Sequence, residues 1–259
     1  MFHLQGSKVA GNFAFSPYET ARGYATIRAS DTTDETQGEH DMIQGVIFDM
    51  DGLMFDTENI WTAMWRPALA ELGMSYKEGL AEAVRGTNGE ASRAIVRRFY
   101  GPDCDAKAVM DTLLRLGTEA FRAAPVPKKP GLDELLAWLR EHHIPTAVAS
   151  SSREEDIRYN LESWGLTPFF QVIVAGPQIA HSKPDPEIFL TAAARLGVEP
   201  ARCLVLEDSY NGVRAGAAGG FVTVMVPDLM PPNDEMHRLC TMECGSLLEV
   251  LERLRAGEL

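Results

Sequence analysis

The chain is short of basic charge, of cysteine and of long apolar runs. It carries 24 Lys and Arg against 37 Asp and Glu, a formal charge of −13 over 259 residues. Nucleic acids and anionic membrane surfaces both require a basic face, so neither is an expected partner. A small phosphorylated ligand remains compatible, because a few local cations and a metal ion reverse the field inside one cleft. The four cysteines (Cys104, Cys203, Cys240 and Cys244) are scattered, which argues against a disulfide framework and for reduced thiols in a cytosolic protein. No second pair at zinc spacing follows Cys240 and Cys244. No apolar stretch approaches the ~18 to 20 residues that span a bilayer. The N-terminus lacks the basic start and apolar stretch of a signal peptide. A cytoplasmic monomer is the expectation.

What is present changes character along the chain. Residues 1–41, with "ASDTTDETQGEHD" at their end, are polar and acidic and show no apolar period. They read as a disordered N-terminal extension, with the functional protein starting near Met42. From residue 43 the pattern alternates. "IQGVIFDM" is a short apolar run suited to a buried parallel strand. Helical patterns follow at 57–73, 76–84, 90–100 and 105–123, with no strand among them. "PVPKKPG" then sets three prolines in seven residues, a stiff boundary. Beyond it, helices alternate with the strand runs "IPTAVAS", "FQVIVAG", "RCLVLED" and "FVTVMV". Such alternation predicts an α/β fold, a Rossmann-like parallel sheet covered on both faces. The predicted core is 42–58 plus 129–259, and 59–128 is an inserted α-helical domain.

In open parallel sheets, ligands bind beyond the carboxyl ends of the strands. Here those ends carry Asp49 and Asp51, then Ser150, then Gly176 with Lys183 soon after, then Glu207 and Asp208. Any one of these is an ordinary turn or N-cap residue; all of them at one edge are hard to explain as capping. The carboxylates would repel one another in a partly buried cleft, and an oxygen-seeking divalent cation such as Mg²⁺ resolves that. Lys183 can hold a phosphate and offset a nucleophilic carboxylate, and Ser150 can donate to a phosphoryl oxygen. The set points to phosphoryl transfer through an aspartyl phosphate.

"FDMDG" (48–52), "AVASSS" (147–152), "SKPDPEIF" (182–189) and "LVLEDSYNGVRAG" (204–216) occur in that order. Together they resemble the four motifs of the haloacid dehalogenase superfamily, in the subgroup whose helical cap is inserted after the first strand. The resemblance implies Asp49 as nucleophile and Asp51 as general acid and then base. It implies Ser150 and Lys183 on the phosphoryl group, and Mg²⁺ on Asp49, the Asp51 carbonyl and Asp208, with Glu207 as a ligand or orienting waters. Gly52 and Ser151 are expected beside the substrate, as are Arg85 and Asn88 in the cap loop "VRGTNGEAS" (84–92). The implied activity is Mg²⁺-dependent hydrolysis of a small phosphorylated metabolite, a sugar phosphate or similar phosphomonoester. The alternative is a mutase resembling β-phosphoglucomutase, whose cation for a distal phosphate falls on Gly89 here. Asp56 is expected to cap a helix or shape the hinge, Lys128 and Lys129 to be exposed near that hinge, and Trp61 and Trp65 to pack between helices.

Overall fold

Short runs of Val, Ile, Leu and Ala with no charge inside them become strands buried on both faces. In the computed structural model, which describes residues 43–85, 87 and 89–259, these are β1 (Gly45–Phe48), β2 (Thr146–Ser150), β3 (Val172–Ala175), β4 (Cys203–Glu207), β5 (Val222–Met225) and β6 (Met242–Glu243). They pair in parallel in the order β3-β2-β1-β4-β5-β6. The extension read over 1–41 and the candidate Asn88 lie outside the described residues. Five strands match the apolar runs of the sequence. The sixth, a two-residue edge strand, is too short to show a period.

After β1 come four helices with no strand between them among the described residues: α1 (Thr57–Glu71), α2 (Leu80–Val84), α3 (Gly89–Tyr100) and α4 (Ala106–Ala123). The helix expected over 76–84 is confined to α2, because the Leu80 N–H closes a turn onto the Lys77 carbonyl at 3.2 Å. These helices bury their own core, with Trp65, Leu69, Val96 and Val109 at its centre. The rest of the chain adds α5 (Leu132–Glu141), α6 (Glu154–Ser163), α7 (Glu187–Leu196), α8 (Tyr210–Ala218), α9 (Met236–Leu239) and α10 (Leu247–Arg255). Successive strand residues face opposite ways. Val46 and Phe48 therefore pack with α5, α6 and α10, while Ile47 packs with α7 and α8. Among the described residues no helix is long and apolar enough to cross a membrane.

The chain crosses between sheet and helical segment twice, and the crossings run side by side. Phe55 bridges Lys128, the Asp56 N–H donates to the Pro127 carbonyl and the Lys129 N–H to the Met54 carbonyl, each at 2.8 Å. Asp56 occupies the N-cap position of α1 and accepts from the Asn59 side-chain amide at 2.9 Å. Lys129 is not the exposed hinge cation expected from the sequence. Its ammonium lies 2.6 Å from Asp228, beyond β5, and 3.5 Å from Asp56, with 21% of its side chain exposed. The pair ties the crossing to the sheet.

Trp65 is buried in the helical core, whereas Trp61 is half-buried and rests on α4 at Gly117. A Cβ on Gly117 would lie 2.0 Å from the Trp61 ring. This sets up a reversal of an ordinary rule. Gly→Ala inside a helix normally stabilises by about 1 kcal/mol. Gly117→Ala instead overpacks the indole, a cost of about 1 to 3 kcal/mol. The melting temperature of the variant, followed by circular dichroism, should drop by a few degrees; a rise would show that Trp61 does not depend on this contact.

Candidate active site

The sheet register places the polar groups before any side chain is considered. Phe48 pairs with Val148 on one side and Leu206 on the other, so Asp49, Ala149 and Glu207 follow at one level. The Asp49 N–H donates to the Leu206 carbonyl at 3.0 Å. Ser150 ends β2, one residue further. The chain leaves β1 toward β2 and β3 on one side and returns to β4 on the other. Such a reversal of strand order opens a crevice at the carboxyl edge.

Lys183 joins the two central strand ends. Its ammonium is 2.6 Å from Asp49 Oδ1, 2.6 Å from Glu207 Oε1 and 3.2 Å from the Ala149 carbonyl oxygen. The other Glu207 oxygen accepts from the Ser209 N–H at 2.8 Å and the Ser209 hydroxyl at 2.9 Å. Glu207 thus has both oxygens engaged, one fixing Lys183 and one starting α8. Asp208 enters the cleft beside Gly52, whose φ is +84° and whose added Cβ would fall 2.3 Å from Asp208 Oδ2. Gly52, expected from the sequence beside the substrate, donates its N–H to the Phe55 carbonyl at 2.9 Å. Its contribution is the turn and the room it leaves Asp208.

Asp51 is held by a different set. Its Oδ2 accepts from the Ser150 hydroxyl at 3.0 Å and from the Ser152 hydroxyl at 2.7 Å, while the Ser152 N–H donates back to Ser150 Oγ. Ser152 is absent from the sequence-derived set. Three serines in a row offer no period to say which of them turns inward. Ser151, the expected contact, stands exposed at the rim.

Four carboxylates meet one ammonium here, and the protonation equilibria show the strain. Burial pushes Asp49 up to about 8; Lys183 pulls it back, and the charges of Glu207 and Asp51 add to the rise. Burial also raises Asp51, against the hydrogen bonds of Ser152 and Ser150. Asp208 is driven well above the usual carboxylate range by burial and then by Glu207 and Asp49. Burial alone would lower Lys183, but Asp49 and Glu207 outweigh it and hold the ammonium above its ordinary range. The site is short of positive charge. Carboxylate oxygens of Asp49, Glu207 and Asp208 lie within 4.8 Å of one another, an all-oxygen set that suits a hard divalent cation. With Glu207 engaged on both oxygens, Asp49 and Asp208 are the side chains available to it.

A cavity of about 500 Å³ opens over these groups and reaches the helical segment at Glu58, Arg85 and Thr87. Arg85 caps the end of α2 with 15% of its side chain exposed; its Nε is 3.6 Å from Glu58 Oε2 and has no hydrogen-bond partner among the described residues. Glu58 is raised by burial and lowered by Arg85. In the sequence Glu58 reads only as an acid in the first turn of a helix, which the helix dipole explains without any site.

Residues 46–226 match the family model described as haloacid dehalogenase-like hydrolase. The fructose-1-phosphate phosphatase YqaB of Escherichia coli is 33% identical over 185 residues, covering 70% of this chain and 95% of that protein. The bifunctional riboflavin kinase/FMN phosphatase of Arabidopsis thaliana is 32% identical over 210 residues, 79% of this chain, and the chain spans 54% of that relative's length. Among solved structures, a HAD family hydrolase from Deinococcus radiodurans with bound phosphate and sodium superposes with a TM-score of 0.69 at 28% identity. That match covers 85% of this chain and 98% of the other.

Proposed function

The chain belongs to the haloacid dehalogenase-like hydrolases, and we propose that it is a Mg²⁺-dependent phosphatase of a small phosphorylated metabolite, working through an aspartyl phosphate on Asp49. The observation that carries this reading is the unequal treatment of two carboxylates from one strand end. Asp49 is ion-paired to Lys183, which opposes the effect of burial and, with the cation that Asp49 would share with Asp208, favours the nucleophilic anion; Asp51 is bonded by hydroxyls alone, and burial favours its protonated form.

In the first step an Asp49 oxygen attacks phosphorus, the bond to the leaving oxygen breaks, and Asp51 gives that oxygen its proton. In the second, Asp51 takes a proton from water as the water attacks phosphorus, releasing phosphate and restoring Asp49. Lys183 would stabilise the phosphoryl oxygens, while the buried Ser150 hydroxyl, which donates to Asp51, would orient that acid. Asp49 and Asp208, with the Asp51 carbonyl, would hold Mg²⁺, which supplies charge neutralisation at the phosphoryl group. The helices over 59–128 act as a cap on the cleft, and Arg85 reads an acceptor on the leaving group. A mutase needs a cation for a second phosphate. Here Arg85 has Glu58 against it, which leaves little net positive charge for a second dianion and favours hydrolysis.

Asp51→Asn separates the two steps. On alkyl phosphates turnover should fall roughly 10²- to 10⁴-fold, because the leaving alkoxide has no proton donor. p-Nitrophenolate leaves without one, so rapid mixing should show a burst approaching one equivalent of product, then slow turnover. Equal loss on both esters with no burst would remove Asp51 from the mechanism.

A further inference from the structure

Asp51 and Ser151 line a second cavity besides the one over the charged cluster. It measures about 740 Å³ and lies between α4 and the start of α6. Its apolar wall is Trp61 from α1 with Leu114 and Phe121 from α4. Leu114 is 60% exposed although it sits in this wall, and Trp61 is fixed beside it on Gly117. An exposed leucine alone means little; one next to a half-buried indole, in a cavity reaching the proposed proton donor, is a surface awaiting an apolar face.

Asp51 apart, the charged residues around this cavity are held in ion pairs with one another or with neighbours. Arg115 pairs with Glu71 and Glu119, Arg153 with Glu155 and Asp156, and Asp111 with Lys107. Its lining therefore offers no unpaired cation to a second phosphate. A pyranose could lay its C–H face on Trp61, but its equatorial hydroxyls need donors and acceptors that these ion pairs already occupy. A flat ring with apolar faces and a few polar edges fits better, reached from phosphorus past Asp51, with Ser151, Ser152 and Thr118 as hydroxyl partners.

We infer that the leaving group is a nucleoside, its base packed against Trp61 and Leu114 while the 5′-phosphate sits over Asp49 and Lys183. This rests on the phosphatase reading and narrows its substrate class.

The matched comparison is the common ribonucleoside 5′-monophosphates against ribose 5-phosphate, which keeps the same ester and lacks the base. At least one nucleotide should exceed ribose 5-phosphate in kcat/KM by roughly 10-fold or more, chiefly through KM, as expected for one aromatic stacking contact. Leu114→Asp, a change at an exposed position, should cut that ratio by roughly 10-fold. Ribose 5-phosphate or hexose phosphates serving equally well would overturn the inference, as would a Leu114→Asp ratio equal to the parent's. Acetyl phosphate, which has no ring, distinguishes the two levels. If it is hydrolysed in an Asp49-dependent way while no base preference exists, only the nucleoside assignment falls. If neither this acyl phosphate nor any phosphate ester is turned over, the phosphatase reading falls with it.

Discussion

Asp49→Asn should abolish turnover and at the same time make the metal-free protein harder to melt. An amide is not a nucleophile toward phosphorus, so the expected loss is about four orders of magnitude or more on every ester. The stability gain comes from the same residue. Asp49 is buried among Glu207, Asp51 and Asp208 with Lys183 as the one ammonium in contact, and burial raises its pKa to about 8. At neutral pH the folded state bears the cost either of holding a proton on Asp49 or of ionising it beside the other carboxylates; a side chain of the same shape that does not titrate removes that cost, while its amide oxygen can still accept from Lys183. A relief of about 1 to 2 kcal/mol corresponds to a rise of about 2 to 8 °C in melting temperature at neutral pH with chelator present. Saturating Mg²⁺ should reverse the order, since the parent keeps the carboxylate proposed to bind it and the variant offers only a neutral amide oxygen. Retained turnover would eliminate Asp49 as nucleophile. A fall in the metal-free melting temperature would mean that the Lys183 ion pair outweighs the repulsion.

How far the sequence could be read depended on the range of the interactions. Asp49, Ser150, Glu207 and Asp208 were legible because each ends an apolar run, and an apolar run of known length fixes the level of the residue that follows it. Lys183 follows no such run. It lies in a loop after β3, where its charge near the Gly176 strand end made it a candidate, and the resemblance of "SKPDPEIF" gave it a role. Ser152 and Glu58 were not legible, because a hydroxyl in a triplet and an acid in a first helical turn have sufficient local explanations. Lys129 with Asp228 is the extreme case: the partners stand 99 positions apart, and neither end announces the other. The division of labour at "ED" was also hidden. Glu207 and Asp208 are adjacent acids, and only the engagement of both Glu207 oxygens shows that one braces Lys183 while its neighbour faces the cleft. Local periodicity thus located the site, whereas tertiary contacts decide what each group in it does.

Chelation should end turnover and make stability depend more steeply on pH. The three clustered carboxylates and Asp51 oppose one ammonium, so the proposed mechanism calls for a divalent cation before a dianionic phosphoryl group approaches; turnover in excess EDTA should fall by at least about 100-fold and return with Mg²⁺. The pH effect follows from the direction of the carboxylate shifts. Asp49 rises from an ordinary 3.8 to about 8 on folding, and Asp51 and Asp208 rise as well. Below about pH 4 these acids are protonated in both states and impose no penalty. Between about pH 4 and 8 the unfolded chain has released protons that the folded chain still holds, so stability falls as pH rises, by up to about 1.4 kcal/mol per unit for each such group. Above about 8 the Asp49 contribution to the slope ends. Mg²⁺ bound by these carboxylates would keep their oxygens ionised in the folded state and remove the slope. It adds about 2.7 kcal/mol when present at 100 times its dissociation constant. The gap between melting temperatures with Mg²⁺ and with EDTA should therefore widen steadily from pH 5 to pH 8. Parallel curves would show that the cation does not bind these carboxylates, and undiminished turnover in EDTA would show that the chemistry does not need it.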